Sequence, residues 1–563
     1  MQTATHPPTD ILKERAPDVQ KPTTVTAPGS QLELLTGQPV IDLLSSPNFQ
    51  KSWDRLFEAC PWATVFQSHS FINAWYQLYR QQHLPILVMA TEDGQLKGAL
   101  PMVLLNTTDA LRGGKGGRIT GAGHYDALYQ SWLAAPSYAP VFMKQALTKL
   151  MKAFPKSPVS FRFIPPETPL NWIKNDAAWR HRSILQSYVR PLINLTDPET
   201  EKLSRKSHFR NKLNRLKRLG EVQFECIQDL KTFESSLHEM AIMYDFRQSA
   251  LFNKNHFRDD PSKKQFLLEL FKLNLLHVTV LKVNDHIVAA IVAVTGKNGW
   301  IHLAGINCHS PFRARFYSPG YLHFILLSGQ LAAAGNRFFD LTPGYDSYKE
   351  ELANRHDEVT ELIISGSVKF RLKRNLRKWF HARLIASGIR PMTAELNIKR
   401  FFYLVKRRRI QAVLGRPVKK QQAKTKQTRY HIPSYQCSNL LLQKDSLTHL
   451  LQFEAGKKSG ITRWEFLADA MRRFETGHHC YTWAENDRLL ACAWFSYPEA
   501  TDGAAHTMEL HHIYIHHSAT DRAKQFVQAV IGTAVNQENK TYFLADDALA
   551  CEELVLAGSV MSA

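Results

Sequence analysis

The sequence predicts a multidomain α/β protein, mixed α+β in character, that repeats one structural unit. Three observations carry this expectation. The chain has 563 residues, which at about 150 residues per domain makes three or four folded units. Hydrophobic residues make up 44%, aromatic 11% and charged 21%, a globular composition able to bury several cores and unlike that of a largely disordered chain. One order of elements also recurs: two helices, a hairpin, a strand, a helix and a closing strand.

Residues 1–35 are rich in Pro and Thr, lack periodicity and read as a flexible tail, with no charged-then-apolar start of the kind that directs secretion. Residues 36–190 make the first unit. Helices over 53–60 and 71–80 show apolar residues at three- and four-residue spacing. Strands over 85–90 and 100–105 flank the turn signal Asp93-Gly94. A glycine-rich basic stretch (113–123, with Arg112, Lys115 and Arg118), a helix over 138–154 and a strand over 160–163 follow.

Residues 191–365 repeat that order more clearly. A basic helix over 204–219 stops at Gly220, where a C-terminal glycine belongs. Then come a strand (222–227), helices (233–246 and 266–275) and a hairpin (277–283 and 287–294) about Asn284-Asp285. A strand over 300–306, a helix over 321–334 closed by Gly335 and a strand over 338–341 complete the unit. Residues 366–430 are a basic helical linker with amphipathic helices at 370–385 and 401–413 and a polar stretch at 411–428. Residues 431–563 run through the order again: helices at 446–454 and 463–474, a hairpin (481–485 and 489–495), a strand (509–515) and a helix (521–536).

Seventy-one Lys and Arg oppose 50 Asp and Glu, a formal +21, which suits an acidic partner: nucleic acid, an anionic membrane surface or a phosphate-bearing ligand. The charge gathers at 202–218 and at 369–429, the latter centred on Lys406-Arg407-Arg408-Arg409. Nucleic acid is least favoured, because aromatic interleaving is thin and no helix-turn-helix, zinc-finger or RNP pattern occurs. For the 202–218 helix a solvated charged face ranks first and contact with a CoA or glycan phosphate second. No apolar run nears the ~18 residues of a membrane span, so the chain is expected to be cytoplasmic. The linker helices either lie on an anionic inner leaflet or pack back on the body. Seven cysteines without a C-x-x-C pair indicate neither a disulfide framework nor a zinc site. His511-His512 and His516-His517 leave two same-face histidines without a third ligand, so no metal is expected.

Two motifs carry a family resemblance: Tyr317-Ser318-Pro319-Gly320 opening a helix, and the run from Asp340 through Gly344 and Tyr348 to Lys349 after the next strand. With Trp53, Phe66-Gln67-Ser68, Trp75, Leu100-Pro101, the 210–220 stretch and Arg247 in order, residues 40–365 resemble the CelD/BcsL family of GNAT acetyltransferases. That family is named for its association with cellulose biosynthesis and is related to the FemAB peptidoglycan aminoacyltransferases. It usually has an acidic residue after the motif glycine, whereas Tyr345 and then Asp346 stand here.

The resemblance implies tandem GNAT-like domains, two clear and a third degenerate at the C-terminus, where 517–521 lacks a glycine. It also implies an acyl-CoA-dependent N- or O-acyltransferase using acetyl-CoA or another acyl-CoA in exopolysaccharide or cell-envelope biosynthesis. The acceptor would be an amino or hydroxyl group on a sugar nucleotide, glycan or peptide. A FemAB-like transferase using aminoacyl-tRNA and a non-catalytic scaffold are the alternatives.

Physical chemistry assigns the motifs parts. Free N–H groups and the helix dipole at a helix start attract a diphosphate. Pro319 suits the first turn, Gly320 lets a phosphate approach beside Ser318, and Arg313 and Arg315 add charge. His302 and Asp340 are candidate bases, and Tyr317 and Tyr348 candidate donors to a leaving thiolate. Backbone N–H groups over 300–306 polarise the acyl carbonyl, as the resemblance implies. Lys349 is a substrate or structural contact, and Arg247 either binds an acidic acceptor or pairs with a carboxylate.

Overall fold

Turn residues set the hairpins. Asp93 and Gly94 (φ 50° and 73°) and Asn284 and Asp285 (φ 46° and 65°) adopt the paired positive φ values of tight hairpin turns. The computed structural model describes residues 31–105, 117–407, 428–435, 438–455, 461–498, 506–557 and 560–561. Arg112, Lys115, most of the 411–428 stretch and Arg408-Arg409 lie outside these residues.

The first half contributes β1 (Gln31–Thr36), β2 (Leu84–Glu92), β3 (Gln95–Leu104), β4 (Ile119–Gly121), β5 (Leu133–Ala134), β6 (Val159–Ile164) and β7 (Ser183–Asn194). The second contributes β8 (Val222–Ile227), β9 (Leu276–Val283), β10 (His286–Thr295), β11 (Trp300–His302), β12 (Asn307–His309), β13 (Phe338–Asp340) and β14 (Arg355–Ile364). All fourteen form one sheet in the order β1-β2-β3-β4-β6-β14-β7-β13-β11-β10-β9-β8, with β5 on β3 and β12 on β10.

The halves interlock at the middle of this sheet. β14, from the second half, lies antiparallel between β6 and β7, and β7, from the first, lies antiparallel to β13. Each half thus closes the other's sheet. The boundary expected at 190/191 falls inside β7, and neither β7 nor β14 was anticipated. Pro191 marks β7 against a central strand, and β14 begins with the charged run Arg355-His356-Asp357-Glu358. These polar residues are accommodated by pairing: Arg190 Nε and Nη2 donate to the two carboxylate oxygens of Asp357 at 2.7 and 2.5 Å.

Two further expectations change. Residues 31–35, expected in the tail, belong to β1, which pairs along β2. The strand expected over 300–306 stops at His302 and resumes as β12. At the break the chain comes so near β10 that a Cβ on Gly305 would lie 2.4 Å from the Val292 carbonyl oxygen, so only glycine fits there.

Helices cover the sheet and bring the halves into one core. Phe266 and Leu270, on the Ser262–Lys272 helix, join the first half's core with Val359, Leu362 and Ile364 of β14. Beside them the Tyr79 hydroxyl donates to Asp260 at 2.9 Å, and Lys263 pairs with Asp126 at 2.9 Å. The C-terminal unit has its own seven-stranded sheet. In it the strands Thr507–Ile515 and Tyr542–Ala545 pair in parallel across the Ala523–Glu538 helix. It docks through the Arg463–Glu475 helix: Phe474 packs on Phe246 and Phe312, and the Trp464 indole donates to the Ala250 carbonyl at 3.1 Å.

Because Leu362 is fully buried where the halves interlock, Leu362→Ala should remove about 2–5 kcal/mol of stability. Urea unfolding followed by one probe in each half should show both transitions moving together.

Candidate functional site

The central pair of parallel strands builds the site. β11 and β13 run side by side through Trp300↔Phe338, Ile301↔Phe339 and His302↔Asp340. Beyond that rung they part: β12 stays with β10 (Ile291↔Asn307 to Ala289↔His309), while the chain after β13 turns away through Thr342 at φ 67°. The fork opens on a cavity of about 180 Å³ lined by Arg247, Asn307, His309, Ser318, Gly320, Phe324 and Tyr348, among others.

The Pro319–Ala333 helix starts at this fork. Ser318 takes a left-handed conformation (φ 51°, ψ 52°) and Pro319 occupies the first turn. A Cβ on Gly320 would lie 3.0 Å from the His309 ring, so glycine keeps the helix start open toward the cavity. Lys212 donates to the Ser318 hydroxyl, bringing a cation to the same place, and burial lowers its pKa. Lys212 belongs to the 202–218 helix, for which phosphate contact was the second reading, but it was not distinguished from that helix's other cations. Its signal is position: on the Ser207–Lys217 helix it stands three residues after Phe209 and four before Leu216, both buried, so it flanks the inward stripe.

Inside the cavity two titratable groups are set apart. Burial, then the nearby Asp346 charge, pushes the Tyr348 hydroxyl up to about 12, against the Arg247 charge and a hydrogen bond with Asn307. Tyr348 therefore keeps its proton at neutral pH. Burial, then the Arg247 charge, lowers His309 to about 4. Its Nδ1 lies 3.1 Å from the Ser310 carbonyl oxygen and must donate there, which leaves Nε2 as the lone-pair nitrogen. Asn307 and His309 went unnoticed in the sequence because the strand expected at 300–306 ended short of them.

The candidate bases lie behind the fork in a closed cluster. Oδ2 of Asp340, fully buried, accepts from the Tyr129 hydroxyl at 2.5 Å and from His302 Nδ1 at 2.9 Å, with Arg190 Nη1 at 3.8 Å. Its Oδ1 accepts the Thr342 N–H at 2.9 Å. The Arg190 guanidinium lies between the Tyr129 and Trp300 rings, at 5.0 and 4.9 Å. Burial alone would raise the Asp340 carboxyl, but the His302 hydrogen bond and the Arg190 charge hold it below the usual range. Two of the N–H groups expected to polarise an acyl carbonyl are already paired, that of Leu303 to the Asp340 carbonyl and that of Ala304 to the His302 carbonyl.

The other predicted residues divide. Arg247, Ser318, Gly320 and Tyr348 meet on the cavity. Tyr317 packs in the second half's core. Lys349 is buried and staples the loop, donating to the Thr342 hydroxyl at 2.8 Å and facing Asp346 at 3.4 Å. Arg315 pairs with Glu475 at 2.9 Å, and Arg313 donates its N–H to the Phe474 carbonyl at 2.8 Å, so both meet the C-terminal unit.

Asp340 has a depressed pKa, so its contribution is complete above the ordinary carboxylate value of 3.8 and is lost as pH falls through the lower folded value. Asp340→Asn, which leaves Arg190 without that charge, should cost about 3–5 kcal/mol at neutral pH. It should also flatten the acid limb of a stability–pH curve measured by urea unfolding.

Comparison with known proteins gives one family match and several distant structural likenesses. A search of curated proteins finds no match. Similar solved structures include L-PGS from Bacillus licheniformis (13% identity, 59% of this chain and 96% of that chain, TM-score 0.38). FemX shares 9% identity over 57% of this chain and 98% of its own, with a TM-score of 0.40. A tandem GNAT protein from the clavulanic acid biosynthesis pathway shares 10% over 60% and 99%, with a TM-score of 0.34. Residues 204–350, which hold the fork, the helix start and the Asp340–Lys349 loop up to Glu350, match the family model of the acetyltransferase (GNAT) domain. The match to the acetyltransferase (GNAT) domain model thus covers the central segment of the chain, and the acyltransferase reading rests on that segment.

Proposed function

We propose that the fork between β12 and the Thr342–Tyr348 segment binds an acyl-CoA and passes its acyl group to an amine or hydroxyl acceptor. One observation carries the reading: the strands part where the Pro319–Ala333 helix begins, so a slot for an extended thioester arm ends at a diphosphate-attracting helix start. Lys212, held at Ser318, adds a cation there.

The acceptor nitrogen or oxygen forms a bond to the thioester carbon as the carbon–sulfur bond breaks. Tyr348, protonated at neutral pH, gives its proton to the departing sulfur. Nε2 of His309 takes the proton that the acceptor loses; with its pKa lowered to about 4 it is a weak base, suited to a proton that leaves late in the reaction. Arg247 lines the cavity beside both groups and selects an acceptor or acyl group carrying negative charge. Asp340 and His302, enclosed with Tyr129, act as positioning residues that fix the rung from which the fork opens. The CelD/BcsL-like motifs at 317–320 and 340–349 support an acceptor from exopolysaccharide or cell-envelope synthesis.

A second reading has its own observation. The helix bearing Lys212 presents Lys206, Arg210, Arg215, Lys217 and Arg218 to solvent, a basic flank beside the cavity that fits the phosphates of an aminoacyl-tRNA donor.

Titration calorimetry with acetyl-CoA should give saturable binding that Gly320→Trp abolishes without lowering the melting temperature; unchanged affinity in that variant removes the assignment. Salt-sensitive tRNA binding without CoA binding favours the second reading, and neither leaves a scaffold. Tyr348→Phe should lower kcat by about 100-fold while leaving the affinity for CoA unchanged.

A further inference from the structure

The helices that follow the fourteen-stranded body carry an apolar surface that no described residue covers. The Val368–Ala386 helix has no buried residue. Val368, Leu372, Leu376 and Trp379 recur at steps of four and three, so they share one face, and they are 61, 65, 66 and 55% exposed. On the adjoining Pro391–Arg407 helix Phe401 and Phe402 are 51 and 64% exposed. A stripe this apolar on an outer face marks an interaction site.

The charge around the stripe indicates what covers it. Residues 368–386 contain Lys369, Arg371, Lys373, Arg374, Arg377, Lys378 and Arg383 and no acidic residue. The cations on the inner side are engaged with the protein: Arg371 donates to the Ser365 carbonyl, Lys378 to the Leu185 carbonyl, and Arg377 pairs with Glu395. Lys369, Lys373 and Arg383 border the stripe instead, and Arg383 lies over the Trp379 ring at 5.4 Å. A second copy of this chain would set like charges against each other, because Glu395 is already held by Arg377 and His381. Apolar rings flanked by lysines and arginines, with an indole among them, match the interface of an anionic bilayer. Among the described residues no helix is long and apolar enough to cross a membrane, so the pair would lie in the plane of the surface.

We propose that the Val368–Ala386 and Pro391–Arg407 helices form a docking surface for anionic phospholipid bilayers. The surface is tied to the catalytic half: Arg390, between the helices, donates to the Gly344 carbonyl at 3.0 Å and pairs with Asp346 at 2.7 Å, on the loop that leads to Tyr348. Docking therefore fixes the orientation of that loop relative to the lipid surface, whatever the acceptor.

The test is co-sedimentation of the full chain with vesicles of phosphatidylglycerol and phosphatidylcholine, against phosphatidylcholine alone. The chain should pellet with the anionic vesicles only, and added salt should weaken the binding. Leu376→Glu and Trp379→Glu should each lower the partition coefficient about tenfold or more, and Lys369→Glu with Lys373→Glu should do so through charge alone. All three should melt like the parent chain, since they alter exposed positions. Absence of pelleting with anionic vesicles, or equal pelleting of Leu376→Glu, overturns the proposal. So does a dimer in light scattering that Trp379→Glu dissolves while vesicles are ignored, which assigns the face to a second copy. Retention on an acidic peptide matrix without vesicle binding likewise overturns it, in favour of a protein partner.

Discussion

A single buried carboxylate holds the molecule's centre together. Asp340 ends β13 and is reached by Tyr129 from the first half, by Arg190 from the strand that half lends, and by His302 from β11. None of these groups can be withdrawn without leaving a polar atom unmatched in a region water does not reach. The cluster therefore fixes how the halves meet and also the rung after which β11 and β13 separate. The opening at the fork is a consequence of that register, because the strands are clamped at His302↔Asp340 and free to diverge beyond it.

Seen this way, the division of labour among the conspicuous residues is physical. A carboxylate oxygen with two hydrogen-bond donors and a guanidinium beside it is poorly suited to accept a substrate proton, and its value lies in rigidity. Tyr348 and His309 sit a short way along, where burial sets one protonated and the other neutral without locking either into an ion pair. Rigid support behind adaptable groups is what the proposed transfer would ask of such a pair.

Much of this was legible from local sequence. The hairpins followed from Asp93-Gly94 and Asn284-Asp285, since a turn that needs positive φ declares itself in two residues. Ser318, Pro319 and Gly320 were readable because helix starts have their own chemistry. What escaped was non-local. β7 and β14 look too polar to be central strands until Arg190 is seen against Asp357, 167 positions away. Arg315 resembled a phosphate ligand because Glu475, its partner, lies 160 positions along the chain. His309 was overlooked because the break at Gly305 carries the strand's second segment beyond where periodicity ended it.

The interlocked strands also bear on the chain's birth. When β6 leaves the ribosome its outer edge has no neighbour, because β14, which fills that place, is encoded roughly 200 residues later. At about 5–20 residues per second of synthesis, that edge waits for roughly 10–40 s with its backbone groups bare. During this interval the nascent first half is open to pairing with other chains, which makes the first half a poor candidate for expression by itself.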